Sequence, residues 1–224
     1  MDKSNLFQCL STQEPAALLA LLSAAYDQME YDQRQVVFGN LVRSLPPAPV
    51  DGEVLLNKVE SFQRESLAGL YYAPFDVNSK NFMHIPEETS EWFERLGDLL
   101  QASRQLTAQG DHFHAVACFG MLYKLVDALD AGEEIVFGDE IGSWMIPGDE
   151  KQYIAAYMTS LAATATPEEF TAAALPLIRR DSWQSFMTQA YASAVRVADE
   201  AQRVHLQREI QSQKIRTERT LTDL

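Results

Sequence analysis

The run from Ala115 to Tyr123, AVACFGMLY, holds no charged residue. Within the longer stretch Asp111 to Asp130, helical spacing leaves only Lys124 and Asp127 plainly polar after the first turn. A helix that is apolar around most of its circumference has to be wrapped by other elements, so this segment predicts the centre of a core. At about 100° per residue, Ala115, Phe119, Leu122, Leu125, Val126 and Leu129 share one broad face, and Ala117, Gly120 and Ala128 flank Lys124 on a narrow second one. Small side chains there predict the close approach of a neighbouring helix, with the Lys124 stem running out to water. Close packing would offset the roughly 0.5–1 kcal/mol that a glycine costs in a helix interior. Gly110 is expected to end the preceding helix in the left-handed conformation, with Asp111 as the next N-cap. The run is about half the length a bilayer requires, so it does not predict a membrane span.

The rest of the chain repeats the same period. Ser11 and Glu14 have the spacing of a capping box before an apolar helix over 15–29, with Leu18, Leu21, Leu22 and Ala25 as its core face. Further helices are expected over 32–45, from Asp51 to about Tyr72, and over 87–109, with an ordered crossing loop over 73–86. Asp149 with Gln152, and Thr166 with Pro167 and Glu169, mark two more helix starts. The second of these helices should bend or stop at Pro176. Asp181 or Ser182 should open a long final helix whose end projects from the body over 207–224. No stretch alternates with hairpin turns, so the fold class is all-α: antiparallel helical hairpins stacked into a bundle or short solenoid-like domain. It is read as one domain over 1–224, with two lobes at 1–72 and 87–224 as a further division.

Gly110, Asp111, Ala115 and Phe119 form the pattern G-D-x-x-x-A-x-x-x-F. Over residues 95–130 this resembles the second half of a single tetratricopeptide-like helical hairpin, in which a glycine turn precedes a small residue and an aromatic. The resemblance implies a protein-interaction role with a concave helical surface. No second copy follows at a period of about 34 residues, so it concerns one helical pair.

The chain carries 32 acidic residues against 18 basic ones, a net charge of −14. That balance excludes binding through the phosphate backbone of nucleic acid, where lysine and arginine supply most of the affinity. The bases gather late: residues 196–224 hold Arg196, Arg203, Arg208, Lys214, Arg216 and Arg219. Cys9 and Cys118 are the sole cysteines and form no metal clip, which points to a reducing, cytoplasmic setting. Phosphate-loop, dinucleotide and nucleophile-elbow patterns are absent, and no cofactor is implied.

Three constellations remain. The segment from Glu133 to Trp144 mixes Glu133, Glu134, Asp139 and Glu140 with glycines, and Trp144 is expected as a buried anchor of this acidic loop. With His112 and His114 nearby it could serve a metal-dependent hydrolase, although helical residues two apart point about 200° away from each other. Val197, Ala201 and Val204 form a narrow seam on the final helix, suited to a weak homodimer. The leading expectation is a non-enzymatic interaction or adaptor protein with an unknown protein partner, and with neither nucleic acid nor membrane. The alternative is an enzyme or metal-dependent hydrolase that uses the acidic loop over 133–144 and the nearby histidines.

Overall fold

The computed structural model describes residues 2–29, 33–34, 36–38, 49–74, 85–138, 141–183 and 186–217, and every regular element among them is helical. In chain order these are α1 (Lys3–Leu10), α2 (Pro15–Asp27), α3 (Gly52–Leu67), α4 (Glu87–Gln109), α5 (His112–Asp130), a short 3-10 helix (Ser143–Met145), α6 (Glu150–Thr164), α7 (Pro167–Trp183), α8 (Ala190–Val197) and α9 (Glu200–Ser212). The helix expected over 32–45 and the crossing loop lie largely outside the described residues. No described helix is long and apolar enough to cross a membrane.

Two compact units divide at Ala48 and Pro49. This boundary lies upstream of the expected one at 73–86, because α3 buries Leu55, Val59 and Phe62 and packs on α5. In the first unit, α1 covers Lys3–Leu10, with the Asp2 carboxylate accepting the Asn5 N–H at its start. Ser11 is therefore the C-cap of α1 rather than the N-cap of α2, and its hydroxyl donates back to the Gln8 carbonyl at 2.8 Å. Glu14 stands at the N-cap of α2 with Pro15 following. The expected core face of α2 is not buried there: Leu21 and Leu22 are exposed.

The second unit is built around α5. Gly110 ends α4 at φ 83°, and the Asp111 carboxylate accepts the backbone N–H of His114 at 3.4 Å. Ala115, Cys118, Phe119, Leu122, Tyr123, Leu125, Val126 and Leu129 are buried, wrapped by α3, α4 and α6. At the start of α3 the chain requires glycine. A Cβ on Gly52 would lie 2.4 Å from Asp111 Oδ2 and 2.5 Å from His114 Nδ1.

Further along, Thr166 and Glu169 form the expected reciprocal cap, Thr166 N–H donating to Glu169 Oε2 at 2.9 Å and Glu169 N–H to Thr166 Oγ1 at 3.3 Å. Pro176 neither stops nor ends α7, which runs on to Trp183. Proline leaves the carbonyl four residues earlier without its helical donor. Here that residue, Ala172, is exposed together with Pro176, so water can take the freed carbonyl. The long final helix is two helices. Asp181 stays inside α7 and its buried carboxylate reaches forward to accept Thr188 N–H at 2.7 Å and Ala190 N–H at 2.9 Å, so it satisfies the first amide of α8 across the turn. A break at Ala198 and Asp199 then precedes α9, where Asp199 and Gln202 form a capping box.

Candidate functional site

α5 and α7 each pack against α6 and leave a gap between them, with Tyr157 of α6 at its floor. Arg180 of α7 bridges the gap. Its guanidinium donates to Asp127 Oδ1 at 3.0 Å and to Glu150 Oε1 at 3.1 Å, and it lies 4.9 Å from the centre of the Tyr123 ring. The arginine is buried and doubly paired, the arrangement that keeps a desolvated charge tolerable. Burial still pushes the carboxyls of Glu150 and Asp127 above their ordinary range, against the pull of Arg180.

The bridge separates two grooves that share Asp127. One, of about 370 Å³, is lined by Ala117, Gly120, Lys124, Tyr157, Ala173 and Pro176 among others. The narrow small-residue face of α5 thus opens onto a groove rather than meeting a close neighbour: a Cβ on Gly120 would touch the Tyr157 hydroxyl alone, at 3.3 Å. Lys124 is exposed at the edge, as expected. Beneath it, Tyr123 and Tyr157 stack with ring centres 5.9 Å apart, and Phe119 lies 5.3 Å from Tyr157. Burial pushes the Tyr157 phenol up to about 12 and that of Tyr123 well above the ordinary range. Both therefore stay protonated at neutral pH, and the Tyr123 hydroxyl has no hydrogen-bond partner among the described residues.

The second groove, of about 520 Å³, is lined by Asp127, Asp130, Ser143, Arg179, Arg180 and Trp183. Trp183 closes α7 with its side chain 88% exposed. Trp144 follows Ser143 in the chain and is 73% exposed. The expected buried anchor is therefore a surface indole: the 3-10 turn buries Ser143 and, beyond it, Ile146, which places Trp144 outward. Glu133 and Glu134 are exposed just past the end of α5, and Asp139 and Glu140 lie outside the described residues.

The other sequence candidates are dispersed. His112 Nδ1 lies 3.1 Å from Ser160 Oγ, and His114 Nδ1 lies 2.9 Å from Asp111, so the two imidazoles have separate partners. A serine beside a histidine suggests a nucleophile, but Ser160 is 0% exposed and also bonded to Thr107 at 2.8 Å, so no substrate can reach it. Among the described residues no three histidine, cysteine or carboxylate side chains converge as metal ligands would. Val197 is on α8, whereas Ala201 and Val204 are on α9, so the seam is interrupted by the break at Ala198–Asp199. No motif in the sequence marks Arg180, Tyr157 or Trp183; the signals available there are the paired Arg179–Arg180 inside an amphipathic helix and Asp127, an acid in an otherwise apolar stretch.

The chain matches no protein-family model, no curated protein and no solved structure.

Proposed function

We propose that this chain is a non-enzymatic protein-interaction or adaptor protein that presents the gap between α5 and α7 to a segment of a partner. The observation that carries the reading is the exposure of Trp183 on the 520 Å³ groove, with Trp144 exposed beside another lining residue, Ser143. Tryptophan offers more apolar area than any other side chain and is enriched among the residues that dominate binding energy at interfaces. The polar groups between the grooves support a binding role: Arg180 is paired with Asp127 and Glu150, and burial keeps the phenols protonated. The tetratricopeptide-like reading of α4 and α5 is supported by the left-handed Gly110 and by the complete burial of Ala115 and Phe119.

The test compares the wild-type chain with a Trp144→Ala/Trp183→Ala variant as bait for proteins of the source cell. A partner retained in stoichiometric amount by the wild type and lost by the variant is the expected result. Equal retention by both proteins would sink the reading.

A further inference from the structure

The 520 Å³ groove lies against the most one-sided stretch of charge in the chain. From Leu125 to Glu150 there are eight carboxylates, at 127, 130, 133, 134, 139, 140, 149 and 150, and no lysine, arginine or histidine. Asp127 and Asp130 occupy the last turn of α5, which has no basic residue. The helix macrodipole already places partial negative charge there, so both acids are unfavourably sited unless a cation is supplied from outside the helix. Arg180 supplies one to Asp127 and turns its second hydrogen-bonding arm to Glu150. Arg179, on the opposite wall, donates to Gln213. Asp130 receives no cation among the described residues: its Oδ1 accepts Ser143 N–H at 3.3 Å. It faces the same groove as the exposed Trp183, whose ring can hold a cation on its face.

We infer that this groove receives an arginine- or lysine-bearing segment of the partner protein, its cationic head beside Asp130 and its stem against Trp183. The inference rests on the interaction role proposed above and adds the chemistry of the partner. Charge complementarity selects the occupant, because Asp130 is the lining carboxylate without a cation among the described residues and the chain as a whole carries a net −14, which disfavours an acidic segment. Arginine fits the site best, since its flat guanidinium can stack on an indole while donating to a carboxylate.

The experiment is a titration of the full chain, followed by tryptophan fluorescence and calorimetry at low and high salt. The probes are a short arginine–leucine peptide, its citrulline counterpart, its glutamate counterpart, and spermine. The arginine peptide should bind, weaken with salt, and lose about tenfold in affinity in both Asp130→Asn and Trp183→Ala. Both side chains are at the surface of the groove, so the variants should keep the wild-type far-ultraviolet spectrum, and the Asp130→Asn side chain retains an oxygen that can accept the Ser143 amide. Equal binding of the citrulline or glutamate peptide would overturn the inference, as would equal binding of spermine, which reports diffuse counterion attraction. If no peptide binds while Trp183-dependent capture of a cellular partner persists, the basic segment is wrong and the interaction role stands. If both fail, both readings fall.

Discussion

The indole Nε1 of Trp92 donates to Ser66 Oγ at 2.8 Å, and both residues are completely buried. Ser66 in turn donates to the carbonyl of Phe62 one turn earlier at 2.7 Å, so a single hydroxyl joins α4 to α3 inside the core. The Trp92 ring lies 5.8 Å from Phe62 and 5.0 Å from Phe93, which leaves its N–H no route to water. Ser66→Ala orphans that donor, and an unsatisfied buried donor costs about 1–3 kcal/mol. Urea denaturation of the variant should show a loss of that size, and an unchanged midpoint would refute the role assigned to the pair.

Asp181→Ala should loosen the junction between α7 and α8. The substitution strips the acceptors from the amides of Thr188 and Ala190 in a buried turn, where loss of an N-cap costs about 0.5–2 kcal/mol. Hydrogen exchange should accelerate first at the amides of 188 and 190, then through α8. Uniform acceleration across the second unit would instead mean that the carboxylate supports the whole core.

Two glycines on or beside α5 should respond differently. Gly52→Ala forces a methyl group into the Asp111–His114 pair, and overpacking of this kind costs about 1–3 kcal/mol. Gly120→Ala gains the roughly 0.5–1 kcal/mol of better helix propensity and crowds one atom, the Tyr157 hydroxyl at 3.3 Å, which has to give by only a few tenths of an ångström, so its net effect should be much smaller. Thermal melts of both variants check the contrast, and equal losses would contradict the open groove beside Gly120.

Glu150 sets a pH dependence of definite sign. Burial raises its carboxyl above the ordinary 4.5, so the folded chain holds this proton to higher pH than the unfolded chain does. The folded state then binds more protons in that interval, and stability falls as pH rises through it, from the ordinary glutamate value up to the folded one. Asp127 contributes in the same direction. Glu150→Gln should flatten the decline in unfolding free energy as pH rises above the ordinary glutamate value, without abolishing it. Identical slopes for wild type and variant would remove Glu150 from the account.

Helical class, the buried α5, the left-handed Gly110 with its Asp111 cap, and the Thr166–Glu169 box are all local properties, set by period and by side chains a few residues apart. The sequence by itself therefore determined them. Asp181 shows where this stops. As a residue type it signals an N-cap; instead its carboxylate accepts the first amide of a helix that begins nine residues later, across a turn no spacing rule anticipates. The groove is further removed still. It exists because α5 and α7 both lean on α6 rather than on each other, and because Arg180 finds Asp127 and Glu150 on two different helices. Whether Trp144 turns inward or outward likewise depends on which neighbours, Ser143 and Ile146, win the space beneath the loop. Those outcomes are settled by packing between distant elements, which only the tertiary structure decided.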